Sequence, residues 1–180
     1  MAGSDTSFTG VHGVFVDVLG VGVVILGPSG IGKSECALEL IMRGHRLVVD
    51  DLIRVVPDDQ GDLFGVAAEI GGYSMEIKGL GIISIEKLFG VAAIRDRKRI
   101  ELVVEFVDTD EAISDHVGMS EKTYSIAGAP FPYKKIPVRP GRNLAVIVEV
   151  AARDHLLKKR GYYAAKAFEG DLLKKLNGEG

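Results

Sequence analysis

Eight consecutive residues, Gly27, Pro28, Ser29, Gly30, Ile31, Gly32, Lys33 and Ser34, carry the spacing G-x-x-x-x-G-K-S. That pattern meets the physical demands of binding a polyphosphate. Three glycines without a Cβ let the backbone close around an anion, and successive N–H groups then point inward at a helix N-terminus. Lys33 brings a cation that reaches the outer phosphates, and the Ser34 hydroxyl is placed to ligate Mg²⁺. The bland alternative is a glycine turn before an ordinary helix. Against it stands the local order of an apolar strand, this loop and a helical pattern, which is the context the phosphate reading requires.

Carboxylates come next. Asp50 and Asp51 end the strand predicted after that helix, which returns them to the sheet edge that carries the glycine loop if the sheet is parallel. A carboxylate there either holds Mg²⁺, directly or through water, or accepts a proton from an incoming hydroxyl; the plain alternative is that both only solvate a strand end. Neighbours on a strand point to opposite faces, so the two acids cannot share one role. Glu76 sits within the apolar alternation MEIKGLGII. As a buried strand residue it needs a partner, for which Mg²⁺ or Lys33 would serve; as an edge residue it needs none. His12, beside Gly13, is either a surface residue or a catalyst. Arg139 and Arg142 flank a proline-glycine turn in PVRPGRN (137–143), a shape that suits gripping phosphate or a partner's acids and equally a solvated turn.

The elements that must position these groups follow from pattern. VFVDVLGVGVVIL (14–26) reads as two strands joined at Gly20 and Gly22, a hairpin. ECALELIMRG (35–44) places Ala37, Leu40 and Ile41 at helical spacing before a terminating Gly44. RLVVDD (46–51) is a short buried strand, and IRVV (53–56) continues it or turns back. Residues 58–72 carry weak signal. Tyr73 to Ile83 alternates around Gly79 and Gly81 as strand, turn, strand. Ser84 caps a short helix through Phe89 that Gly90 ends. IELVVEFV (100–107) is a further strand, 108–132 reads as a long polar excursion, and LAVIVEV (144–150) as another apolar strand. Two helical stretches follow, the last striped by Ala165, Phe168, Leu172 and Leu176. Strands interleaved with helices give an α/β fold, a single domain over 10–180, with 1–9 a flexible lead-in or an appended remnant.

Composition bounds the partners. The 180 residues are 47% apolar and 26% charged, with 22 Lys and Arg against 25 Asp and Glu. That balance argues for one core-forming domain rather than a disordered chain. A formal charge of −3 offers no excess positive field to nucleic acid. The longest uncharged run, 18–32, is broken by glycines and a proline and is shorter than the roughly 20 residues of a membrane span. One cysteine, Cys36, cannot form an internal disulfide, and no secretory leader opens the chain, so the expected compartment is the cytoplasm.

Three separated blocks resemble, in order, one known family. They are HGVFVDVLGVGVVILGPSGIGKSECALELIMRGHRLVVDD (12–51), MEIKGLGIISIEKLFG (75–90) and IPVRPGRNLAVIVEVAA (136–152). The chain is similar over nearly its whole length to the catalytic domain of the HPr serine kinase/phosphorylase family. The resemblance implies a P-loop-containing, phosphoenolpyruvate carboxykinase-like mixed sheet flanked by helices. It also implies a cytoplasmic, hexameric enzyme. With ATP and Mg²⁺ it phosphorylates a serine of the phosphocarrier protein HPr, and it reverses the reaction by attack of inorganic phosphate, releasing pyrophosphate.

By that resemblance His12 falls on an active-site histidine, Lys33 on the catalytic lysine and Gly27 to Ser34 on the nucleotide loop. Ser34 and Glu76 fall on magnesium ligands, with Asp50 a further candidate. Asp51 falls on the acid/base that takes the seryl proton forward and returns it in reverse. Residues 75–84 fall on a signature needed for both activities, and 137–142, with Arg139 and Arg142, on one associated with dephosphorylation. Two departures stand out. Asp115-His116-Val117-Gly118 replaces the family's D-R-x-G; if that Arg stabilises the transferring phosphoryl group, His116 does so only when protonated, which makes transfer slower or more pH-sensitive. The family's usual N-terminal domain is also not part of this sequence. Alternatives from other classes are a P-loop kinase of another protein or of a small molecule, and an ATP-gated regulatory module with little transfer.

Overall fold

The computed structural model describes residues 9–67, 73–108 and 121–176. Asp115 to Gly118, and His116 with them, lie outside the described residues. The chain opens with β1 (Thr9–His12), β2 (Val14–Val18), β3 (Val21–Leu26), α1 (Lys33–Met42), β4 (Arg46–Val49) and β5 (Leu52–Pro57). It continues through β6 (Leu63–Ala67), β7 (Ser74–Ile77), β8 (Gly81–Ser84), α2 (Ile85–Phe89), a 3-10 turn (Val91–Ala93), β9 (Arg97–Arg99) and β10 (Leu102–Val107). It ends in β11 (Lys122–Ile126), β12 (Ala129–Pro137), α3 (Leu144–Lys159) and α4 (Ala164–Leu176). Thr9, grouped with the lead-in by composition, is the first residue of β1.

A six-stranded sheet, ordered β11-β12-β10-β3-β2-β4, forms the centre. It is mixed: β3, β10 and β12 run parallel, while β2 lies antiparallel between β3 and β4. The expected return of the acid pair through a parallel sheet is thus corrected. β4 still points the same way as β3, because two antiparallel steps restore direction, so the C-terminal ends of both strands reach one edge.

Side chains on one face of this sheet, among them Val16, Val23, Ile25, Leu102, Val104 and Phe106, pack with Ala37 and Leu40 of α1 and Ala145, Val148 and Ala152 of α3. On the other face Phe15, Val24, Val48 and Val103 pack with Ile53 and Val55 of a second sheet, ordered β1-β5-β6-β9. Burial on both faces explains why β2 and β3 read as unbroken apolar runs instead of alternating ones. Asp17 is the exception inside β2, and its carboxylate accepts from Arg95 Nη1 at 2.8 Å with Lys98 Nζ 3.9 Å away. A buried charge is tolerated where it is paired and hydrogen-bonded.

Three sequence expectations change. LAVIVEV (144–150) is the first half of α3, not a strand. Its β-branched run imitates a strand, yet Asn143 caps it, Oδ1 accepting from Val146 N at 2.9 Å, and the fully buried Ala145, Val148 and Ala152 recur at helical spacing. The second half of the supposed excursion forms the hairpin β11–β12, turned at Ala127 and Gly128. β6 emerges from the weak stretch 58–72 because pairing on both sides, to β5 and β9, supplies what local propensity lacks. The 73–83 hairpin and the Ser84-capped helix form as read, with Ser84 Oγ accepting from Lys87 N. On α4, Phe168, Leu172 and Leu176 do form a stripe, and it is exposed. Among the described residues no helix is long and apolar enough to cross a membrane.

Candidate active site

The glycine loop leaves β3 at Gly27, where φ is 143° and a Cβ would stand 2.7 Å from the Phe106 carbonyl oxygen of the neighbouring β10. Only glycine fits there. Gly32, at φ 104°, turns the chain into α1 and frees the helix's first N–H groups toward the loop. Lys33 Nζ donates to the carbonyls of Gly27 at 2.8 Å and Pro28 at 2.9 Å. These bonds tie the Lys33 ammonium back onto the first two residues of its own loop. Ser34 Oγ donates to Asp50 Oδ1 at 3.0 Å.

An open cleft of about 750 Å³ lies over this loop and is walled by His12, Lys33, Ser34, Asp50, Asp51 and Glu76. Residues dispersed over more than sixty positions therefore meet at one sheet edge. Pro28 and Ile31 complete the loop without lining the cleft; Ile31 packs on the core instead. Arg139 and Arg142 do not line it either. Arg142 Nη1 donates to the Pro137 carbonyl at 3.1 Å, bracing its own turn.

Asp50 and Asp51 part company as expected, though a turn and not strand alternation separates them. Asp50 is half-buried, and burial pushes its carboxyl above the usual carboxylate range, while bonds from Ser34 and from the Glu76 backbone N–H pull it back. Asp51 sits in the turn between β4 and β5 at φ 81°, a conformation few non-glycine residues adopt and one that clusters at functional sites. Its Oδ1 lies 4.0 Å from His12 Nδ1, and these side chains are 91% and 81% exposed. So exposed a pair contributes little to stability, but it is within reach of a macromolecular hydroxyl.

The second sheet sets this pair. In its register His12 lies opposite Leu52, and the Gly13 N–H donates to the Asp51 carbonyl at 2.9 Å. Glu76 occupies the outward face of β7, with Met75 on the buried one. Of the two readings the sequence left open, a buried strand residue and an exposed edge residue, the structure shows the exposed one, at the cleft wall. Sequence reasoning missed Lys78, which also lines the cleft from the turn after β7. Its signal was there to read: a cation leading the KGLG turn.

Among the described residues no group of three or more His, Cys, Asp and Glu side chains gathers as a metal cage. The adjoining oxygens of Ser34 and Asp50 instead suit Mg²⁺, which keeps waters and substrate phosphates in its shell and asks for only one or two protein ligands.

Comparison with known proteins agrees with this geometry. Residues 6–172 match the family model for the HPr Serine kinase C-terminal domain. The chain is 54% identical over 169 residues to HPr kinase/phosphorylase of Geobacter sulfurreducens, covering 93% of this chain and 53% of that protein. It is 52% identical over 165 residues to the enzyme of the same name from Geobacillus kaustophilus, covering 91% and 53%. It thus spans about half the length of these relatives. Among solved structures, the Hpr(Ser) kinase/phosphatase from Coxiella burnetii superposes with a TM-score of 0.79 at 34% identity, over 88% of this chain and 97% of that one. With the phosphate loop, the acid pair and the β7–β8 hairpin all gathered at one edge of the mixed sheet, the chain belongs to the HPr serine kinase C-terminal domain family.

Proposed function

We propose that this chain transfers the γ-phosphoryl group of ATP to a serine of the phosphocarrier HPr and removes it again with inorganic phosphate, releasing pyrophosphate. The observation that carries this reading is the exposed Asp51 carboxylate, held beside His12 at the mouth of the phosphate-loop cleft. A protein-borne hydroxyl can reach it without entering an enclosed pocket. The names of the relatives point the same way.

In the forward direction the loop amides orient the polyphosphate, and Lys33 exchanges its bonds to Gly27 and Pro28 for phosphate oxygens. Asp51 accepts the seryl proton as the oxygen attacks, with His12 orienting the carboxylate. In reverse, inorganic phosphate takes the place of the β-phosphate in the loop, and Asp51 returns the proton to the departing serine oxygen. One carboxylate serves both directions by microscopic reversibility. Ser34 and Asp50, with Glu76 from the facing hairpin, would hold Mg²⁺, which when bound neutralises charge developing on the phosphoryl oxygens. A neutral His116 would lend less charge to transfer than the family's arginine. Self-association of the hexameric kind would bury the exposed stripe of Phe168, Leu172 and Leu176, and the cytoplasm, where a phosphocarrier and ATP meet, is the compartment.

The test is transfer of label from γ-labelled ATP with Mg²⁺ to HPr, beside HPr whose regulatory serine is alanine, followed by a phosphate chase. Serine-dependent label that leaves as pyrophosphate is expected. Labelling of neither protein, with ATP bound, would overturn the assignment in favour of another substrate or a nucleotide-gated module.

A further inference from the structure

We propose that Tyr73 is a positioning residue: the bond from its hydroxyl to Asp96 fixes the β7–β8 hairpin and thereby sets where Glu76 stands relative to Ser34 and Asp50. The inference rests on the reading of those three residues as the groups that would hold Mg²⁺. Ser34 lies in the first turn of α1 and Asp50 directly follows β4, so the packed core of the large sheet supports both. Glu76 does not share that support. Among the described residues β7 and β8 pair with each other and with no strand of the two larger sheets. The spacing of Glu76 from the other two is therefore decided by how the hairpin is seated.

Met75 and Ile85 are buried in the core, and Ile77 and Ile83 pack beside them. Apolar contact is non-directional, so it holds the hairpin down without fixing its angle. The Glu76 N–H bond to Asp50 pins β7 at one point, and a strand pinned at one point can pivot about it. Tyr73, the residue before β7, supplies a second point. Its carbonyl accepts from Ile85 N at 2.8 Å, which closes the base of the hairpin, and its hydroxyl donates to the Asp96 carboxylate. The Tyr73 ring packs on the core, as a phenylalanine ring also would; only the hydroxyl makes the tie.

Asp96 is a firm anchor because its neighbours are stitched to the large sheet. The Arg95 N–H donates to the Leu47 carbonyl at 2.8 Å, Ile94 forms a parallel bridge to Leu47, and Arg95 Nη1 reaches the buried Asp17 carboxylate at 2.8 Å. Leu47 belongs to β4, the strand that Asp50 follows. The Tyr73–Asp96 bond thus joins the two ends of the excursion 73–96 and refers Glu76 to the strand that also carries Asp50. Burial, with the Asp96 carboxylate beside it, pushes the Tyr73 hydroxyl up to about 12, so it remains a donor throughout the neutral range.

The test uses the full chain with Mn²⁺ as the probe and a non-hydrolysable ATP analogue present. Mn²⁺ affinity is read by electron paramagnetic resonance, analogue affinity in EDTA by calorimetry, and the hairpin by hydrogen exchange over 74–84. Tyr73→Phe should weaken Mn²⁺ binding about fivefold, the worth of one hydrogen bond, and speed exchange over 74–84. It should leave analogue affinity in EDTA as in wild type and the melting temperature within a degree or two. Asp96→Ala should behave alike, Asp96→Asn, which keeps an acceptor, should recover most of the loss, and Tyr73→Phe combined with Asp96→Ala should be no worse than either alone. Glu76→Gln separates this inference from the reading beneath it. Weakened Mn²⁺ binding in Glu76→Gln beside wild-type binding in Tyr73→Phe would overturn the positioning role alone. Wild-type Mn²⁺ binding in Glu76→Gln would overturn the place of Glu76 at the metal, and the proposal with it. Loss of analogue affinity in EDTA by Tyr73→Phe in step with Mn²⁺ would also overturn it, marking Tyr73 as a support of the fold in general.

Discussion

At the scale of single residues, the two neighbouring aspartates show how one side-chain type is given two different environments. Asp50 is drawn into the loop by Ser34 and the Glu76 N–H, while Asp51 is turned out at a positive φ beside His12. Asp51→Asn keeps the size of the side chain and a residue type that tolerates the left-handed region. On the proposed function it should leave the melting temperature within a degree or two and lower phosphotransfer to HPr by about a hundredfold or more, the range of a lost general base. Steady-state kinetics and a thermal melt on the same sample check it. A second residue-scale expectation concerns Glu101, which accepts from Lys159 Nζ at 2.7 Å and from the Gly22 N–H at 3.1 Å. Burial alone would raise its carboxyl, but Lys159, the Gly22 N–H and Lys98 outweigh burial and hold it below the usual carboxylate range. A depressed carboxylate contributes stability that is present above its unfolded pKa and is lost as pH falls through the folded one. Glu101→Gln should therefore be less stable by about 1–2 kcal/mol near neutrality. The gap to wild type should close as pH drops below the ordinary glutamate range of about 4.3, as denaturant melts across pH would record.

At the scale of elements, capping and cross-helix ties decide what local propensity leaves open. The stretch 144–150 has the composition of a strand, and Asn143 is what commits it to a helix. Its Oδ1 caps α3 through Val146 N, and its Nδ2 donates to Glu39 Oε1 of α1 at 2.7 Å. Arg43 adds a second tie between the helices, to Glu149 at 2.8 Å. Asn143→Ala should cost about 1 kcal/mol and lower the melting temperature by roughly 2–4 °C. Asn143→Ser, which restores the cap and not the Glu39 bond, should recover most of that loss in calorimetry. The turn of Arg139 and Arg142 immediately precedes this cap, so α3 fixes where those arginines stand even though they do not line the cleft of their own chain.

At the scale of the whole molecule, the site exists because two sheets pack. Gly27 and Asp50 follow strands of the large sheet, with Ser34 on α1, and β1 of the small sheet brings His12 to Asp51 in the β4–β5 turn that links the two sheets. Phe15 is fully buried between the two sheets. Phe15→Ala should destabilise the fold by about 3–5 kcal/mol, read as a lower urea midpoint, and should loosen the His12–Asp51 arrangement before the phosphate loop. The amino-acid sequence by itself determined the phosphate loop, the β2–β3 hairpin, the capped helix after Ser84 and the pairing of acids with a phosphate site. Each of these is written in contiguous residues whose steric or hydrogen-bonding needs are local. Only the tertiary structure decided that the sheet is mixed, that 144–150 is helical and that Glu76 faces outward. Those outcomes depend on which strands pair and which faces are buried, and contacts between residues far apart in the chain leave no periodicity in it to read.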